Sequence, residues 1–199
     1  SFSWQKVLGG EGGHGVVVLS PNAIKRLSTF HPERPMPKIF RLVKNGKLIE
    51  GVYEGETLNT PSMFCVADAL DSLMWIKEIG GLTETIRRSN ENFKCLQGWV
   101  DKTPWIENLV SDPKNRSNTS VCLKFSDERL ISLIPDEKTR FVKEFVALLE
   151  AENAAFDIKG HRNAPPGLRI WCGATINLDD IQKLLPWLEY CFHEIISSY

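Results

Sequence analysis

The chain has 199 residues, 42% of them hydrophobic and 25% charged, the balance of an ordinary globular protein of one or two domains. That balance excludes a disordered tail, a collagen-like repeat and a disulfide-dense miniprotein. The 24 Lys and Arg against 25 Asp and Glu leave a formal charge of −1, so no basic excess exists to track a nucleic-acid backbone and nucleic acid is not an expected partner. Apolar runs such as Val16 to Leu19 fall far short of the ~20 residues of a membrane-spanning helix, and no membrane association is expected. The five cysteines (Cys65, Cys95, Cys122, Cys172, Cys191) are scattered and form no CxxC pair, which reads as free thiols in a reducing cytoplasm. The opening Ser1-Phe2-Ser3-Trp4 lacks a methionine and reads like the middle of a strand, as expected of a chain cut from something longer.

In chain order, residues 1–20 read as a strand, a glycine-rich loop (Gly9-Gly10-Glu11-Gly12-Gly13) and a second strand from His14 to Ser20. Pro21 to Leu27 suits a short surface helix, and the prolines of residues 28–38 predict an extended loop. Asn45-Gly46, set between the apolar runs Ile39 to Val43 and Leu48 to Tyr53, is a strong hairpin signal because both turn positions need positive φ. Asn59-Thr60-Pro61 then opens a helix, with Thr60 as cap and Pro61 in the first turn. Met63, Val66, Ala67, Leu70, Leu73 and Met74 recur at helical spacing as its apolar stripe, and Gly80-Gly81 stops it.

A helix from Leu82 to Val100 should turn Ile86, Phe93, Leu96 and Val100 inward. Thr119 to Phe125 reads as a strand, and Glu137 to Asn153 as a helix burying Phe141, Phe145, Leu148 and Leu149. Leu168 to Ile176 reads as a strand, and Leu178 to Ser197 as a closing helix that Pro186 should kink. The joint between two domains is expected in the helix Pro61 to Ile79, with a helix-rich α+β half after it.

Several positions carry chemistry in this pattern. The loop Gly9 to Gly15 could cradle a phosphate through backbone N–H groups, but it lacks the Gly-Lys-Ser/Thr ending of a nucleotide loop, and a tight turn between strands explains it equally well. Lys6, three residues before that loop, is either a solvated charge or, if desolvated, an amine nucleophile; composition does not choose. Gly160-His161-Arg162-Asn163-Ala164-Pro165-Pro166-Gly167-Leu168-Arg169 gathers two arginines and a histidine in a Pro/Gly-stiffened loop. Guanidinium forks there would bind carboxylate or phosphate, against the alternative of ordinary surface ion pairs. His14, His31 and His193 are too dispersed for a metal site, and no metal is expected. Trp75, Trp99 and Trp187 lie on helical stripes and read as core, whereas Trp171 alternates with Arg169.

Together these motifs resemble the phosphoserine aminotransferases. The segment Ser3-Trp4-Gln5-Lys6-Val7-Leu8-Gly9-Gly10-Glu11-Gly12 is similar to their cofactor-lysine segment, and Asn59-Thr60-Pro61 and Gly160-His161-Arg162 with Arg169 match two further motifs in the right order. The resemblance covers essentially the whole chain and is nearest to the alphaproteobacterial and methanogen branch, which has the Pro-Pro form of the last loop. It implies an α/β fold, the fold-type I, aspartate-aminotransferase-like fold of pyridoxal 5′-phosphate (PLP) enzymes. Residues 1–80 would be the end of the large PLP domain with the interdomain helix, and 81–199 the small α+β domain.

It also implies transamination between O-phospho-L-serine with 2-oxoglutarate and 3-phosphooxypyruvate with L-glutamate, in serine biosynthesis. Lys6 would form the Schiff base with PLP and shuttle the proton between substrate Cα and cofactor C4′, with Gln5 beside it at the cofactor. Asn59 and Thr60 would contact the phosphate of the cofactor held by the neighbouring subunit, which implies a homodimer with shared sites. His161 and Arg162 would hold the substrate phosphate and Arg169 its α-carboxylate. The family's chain is about twice as long, so the acidic partner of the pyridine nitrogen, the aromatic stacked on the ring and most of the phosphate cradle are expected from a half not present here. Two other readings stay open: a PLP aminotransferase or desulfurase of the same fold acting on an unphosphorylated amino acid, and an inactive module serving protein contacts.

Overall fold

The computed structural model describes residues 1–10, 12 and 14–199; Glu11 and Gly13 of the glycine-rich loop lie outside the described residues. The chain divides into two compact units, residues 1–75 and 76–199.

In the first unit the expected opening strands are mostly absent. β1 (Phe2–Ser3) pairs antiparallel with β2 (Gly15–Val16), two residues each. The chain leaves extended geometry at Lys6, whose φ of +58° is left-handed, and it closes one 3-10 turn over Lys6–Leu8. α1 (Pro21–Thr29) starts from a Ser20 side chain that accepts from the Ala23 N–H, a standard N-cap. The Asn-Gly hairpin forms as read, with β3 (Val43–Lys44) against β4 (Lys47–Leu48) and φ of +52° and +74° at Asn45 and Gly46. Its flanks do not stay extended: Lys38–Phe40 and Glu50–Tyr53 wind into 3-10 turns.

Two expectations about the next helix, α2 (Met63–Ile79), are corrected. The cap is Ser62 and not Thr60: Ser62 Oγ accepts from Cys65 N and its carbonyl from Val66 N. The buried residues of the helix are Cys65 and Ala69, while Met63, Leu70, Leu73 and Met74 of the supposed inner stripe are more than half exposed. Hydrophobic spacing marks a face that prefers cover, and of that stripe Val66 alone is partly covered among the described residues.

The second unit is a three-stranded antiparallel sheet in the order β5 (Ile106–Asn108), β6 (Ser120–Phe125), β7 (Leu168–Trp171). It packs with α3 (Gly81–Val100), α5 (Pro135–Ala151) and α6 (Leu178–Ile196), and a short α4 (Glu128–Ile131) precedes α5. The core joins Leu96 and Val100 of α3, Val121, Leu123, Leu168 and Ile170 of the sheet, Phe141, Phe145 and Leu149 of α5, and Leu188 and Phe192 of α6. Leu148 is only partly buried and Ile86 is half exposed, because the first turns of α3 bury Thr85, Ser89 and Asn92 instead.

Those polar residues explain why β7 ends at Trp171 and not at Ile176. Asn92 Nδ2 donates to the carbonyls of Cys172, Gly173 and Ile176, and Arg88 Nε donates to that of Ala174. The carbonyls a longer strand would have offered a neighbour are thus taken by α3. α6 then starts with Asp180 accepting from Asn177 N, and it continues through Pro186 as one helix. No helix of the described residues is long and apolar enough to cross a membrane.

Candidate functional site

The sequence-derived site residues fall into two groups, one in each unit. In the first unit, Gln5 O accepts from Leu8 N at 3.1 Å and Lys6 O from Gly9 N at 3.0 Å, so Lys6 heads a tight turn directly after the β1 strand. Its left-handed backbone is uncommon for a residue with a Cβ, and such positions cluster at functional sites. The Lys6 side chain is exposed and makes no ion pair among the described residues.

The glycines after it are required by contact. A Cβ on Gly10 would meet Trp4 O at 2.3 Å, and one on Gly9 would meet Ser72 Oγ of α2 at 2.3 Å, at a φ of +69°. Opposite the turn, His14 stacks on Trp4 with centroids 5.1 Å apart and planes at 13°. The His14 carbonyl accepts from Trp4 N and Ser3 Oγ. Its Nδ1 is buried with no hydrogen-bond partner among the described residues, an orphan that buried polar groups ordinarily avoid. Asn59 and Thr60 lie exposed in the irregular segment before α2.

In the second unit the anion-binding candidate is a clasped loop. Gly160 N donates to Gly167 O at 2.8 Å, Arg169 N donates to Ile158 O at 2.7 Å, and Lys159 bridges Leu168. These bonds close the base of the loop and leave residues 161–166 projecting. A Cβ on Gly167 would stand 2.2 Å from Leu123 O of β6, so glycine is what lets the clasp press on the sheet. Within the loop, Ala164 N donates to His161 O and Asn163 N to His161 Nδ1. Both His161 and Arg162 line a cavity of about 250 Å³ together with Thr139, Val142, Lys159 and Pro165. The loop therefore brings His161 and Arg162 together, and leaves Arg169 out of that cavity.

Arg169 sits on β7 between buried Leu168 and Ile170, with its side chain 35% exposed. Its ion-pair partner among the described residues is Asp157, at 3.5 Å. Asp157 escaped the sequence reading because one acid in a turn has no signature. Trp171, two residues on, is fixed by donating to Thr175 Oγ1 at 3.1 Å and by lying over Gly173.

Neither Cys172 nor Cys191 offers a nucleophile. Burial pushes the Cys172 thiol up to about 12, with Cys95 adding to the shift, and the Cys191 thiol up to about 11; both stay protonated near neutral pH. Among the described residues no three His, Cys, Asp or Glu side chains converge as a metal centre would require.

The Lys6 amine, exposed on a turn whose glycines admit no Cβ and without an ion pair among the described residues, has the chemistry to condense with a carbonyl cofactor. The clasped loop and Arg169 offer two separate cationic positions, suited to a small molecule with two anionic ends.

No family model matches the chain. It is 47% identical over 194 residues to the phosphoserine aminotransferase of Methanosarcina mazei, covering 96% of this chain and 49% of that protein. The phosphoserine aminotransferase of Methanosarcina barkeri is likewise 47% identical, over 195 residues, with 97% and 50% covered. The chain thus spans about half the length of the curated relatives it matches. Among solved structures, a phosphoserine aminotransferase from Bacillus circulans subsp. alkalophilus superimposes with a TM-score of 0.59 at 22% identity, over 72% of this chain and 36% of that one. A PLP-bound phosphoserine aminotransferase from Trichomonas vaginalis gives 0.57 at 22% identity, over 69% and 36%. The fold is the one these enzymes share.

Proposed function

The chain belongs with the phosphoserine aminotransferases, as a segment about half their length, and from that premise we propose that it carries the lysine and substrate anchors of an amino-group transfer. The reaction converts O-phospho-L-serine and 2-oxoglutarate to 3-phosphooxypyruvate and L-glutamate, and the reverse, in serine biosynthesis. The observation that carries the reading is the loop at residues 160–169. It builds two cationic positions in one unit, His161 with Arg162 on a shared cavity and Arg169 on the adjoining strand.

PLP would be held at Lys6 through its amine, with Gln5 beside it; when bound it supplies an electron sink for the charge left at the substrate Cα. Lys6 Nζ takes the proton from that Cα and returns it, a general acid/base role. Its left-handed turn and the close-packed glycines fix the backbone from which the amine projects. His161 and Arg162 bind the substrate phosphate and Arg169 binds the α-carboxylate, which holds the substrate by its two anionic ends.

Residues 1–80 would form the end of the large domain with the interdomain helix, and 81–199 the small domain. Asn59 and Thr60, solvated and free of secondary structure, would reach the cofactor phosphate of a second copy, in a cytoplasmic homodimer with shared sites.

Arg162→Ala in the complete enzyme tests the substrate assignment. Loss of one charge-assisted phosphate contact should cost about 1.5–3 kcal/mol, roughly 10- to 150-fold in kcat/KM for phosphoserine, and leave slow turnover of alanine or serine unchanged. Equal losses on all three amino acids would favour an unphosphorylated substrate.

A further inference from the structure

Arg169 already has a carboxylate in front of it. Its Nη2 stands 3.5 Å from Asp157 Oδ2, and the two side chains are 35% and 91% exposed. The backbone builds this juxtaposition: Arg169 N donates to Ile158 O and Lys159 bridges Leu168, which carries residue 157 to the side of Arg169. Asp157 itself has a left-handed φ of +53°, a conformation that aspartate tolerates better than most residues with a Cβ. The turn, and not side-chain packing, therefore aims its carboxylate.

A pair that held the fold together would be shorter, bidentate and less wet. At 3.5 Å, with the acid almost wholly in solvent, this contact contributes little to stability but still gives the guanidinium a preferred direction. We infer that Asp157 is a placeholder for the substrate α-carboxylate: a positioning residue that orients Arg169 before the substrate binds and is displaced when it arrives. This rests on the reading of Arg169 as the carboxylate anchor. Because the placeholder competes with the substrate, it weakens ground-state binding and should not enter the chemical step.

The test uses the full-length enzyme with Asp157→Asn, which keeps the left-handed turn and removes the charge, and Arg169→Lys as the companion. Glutarate, an unreactive dicarboxylate, is titrated by calorimetry into both variants and the parent enzyme, and steady-state constants for glutamate are measured in parallel. Asp157→Asn should tighten glutarate roughly 2- to 5-fold, the range of an exposed ion pair, and lower the KM of glutamate by a similar factor at unchanged kcat. Arg169→Lys should weaken both. Unchanged or weaker glutarate binding in Asp157→Asn, with Arg169→Lys still damaging, would overturn the placeholder role and leave Arg169 as the anchor. If Arg169→Lys has no effect, the assignment of Arg169 itself fails.

Discussion

One carboxylate joins two helices of the second unit and the turn between α3 and β5. Glu189 of α6 accepts from Trp99 Nε1 of α3 at 2.8 Å and from Trp105 Nε1 at 3.3 Å, and the Thr103 hydroxyl lies 3.4 Å away. Trp105 in turn stacks on Phe192 of α6 with ring centroids 4.1 Å apart. Glu189→Ala would leave two indole N–H groups of partly or fully buried rings without an acceptor, and it should destabilise the unit by about 1–3 kcal/mol. Glu189→Gln, which keeps an acceptor oxygen, should lose less; urea unfolding followed by tryptophan fluorescence reads both. Sequence could not show this, because an acid in an amphipathic helix reads as a solvated charge. The same limit applied at Lys6. Its place before a glycine loop was legible and its chemistry came only from the family resemblance, whereas the left-handed turn came from the structure. His161, Arg162 and Arg169 were legible as a cluster, but which of them share a cavity was not, since that depends on where the loop is clasped.

Elements were legible in proportion to their length. α3, α5 and α6 each repeat apolar residues at helical spacing over 17 residues or more, enough for the period to emerge. β5 and α4 have three and four residues, too few for any period, and were missed. The end of β7 was misread because its apolar run continues to Ile176 while α3 side chains claim the carbonyls. The loop between β7 and α5 depends on one small residue at its base. Gly167→Ala would drive a Cβ to within 2.2 Å of Leu123 O, a backbone atom in the sheet that cannot turn away. The substitution should cost about 1–3 kcal/mol, as overpacking does, and weaken inorganic phosphate binding at His161 and Arg162. Phosphate titration together with thermal unfolding separates the two effects.

At the scale of the molecule, the two units differ in what holds them. The contiguous core lies entirely in residues 96–196, and the first unit buries only Cys65 and Ala69 among its described apolar residues while Met63, Phe64 and Val18 stay 74–82% exposed. Ordering each residue costs about 1.5 kcal/mol, which so small a burial cannot offset. Residues 76–199 produced alone should therefore melt cooperatively, and residues 1–75 alone should show no cooperative transition by circular dichroism. A cooperative melt of the first segment by itself would contradict this division.

The central claim is that Lys6 is the cofactor lysine, and it is tested most directly by chemistry on that amine. The full-length protein is incubated with PLP, reduced with borohydride, digested and mapped by mass. The account predicts one phosphopyridoxyl group, on the peptide containing Lys6, and its loss in Lys6→Ala. A label confined to another lysine, or none in a folded, complete protein, would contradict it.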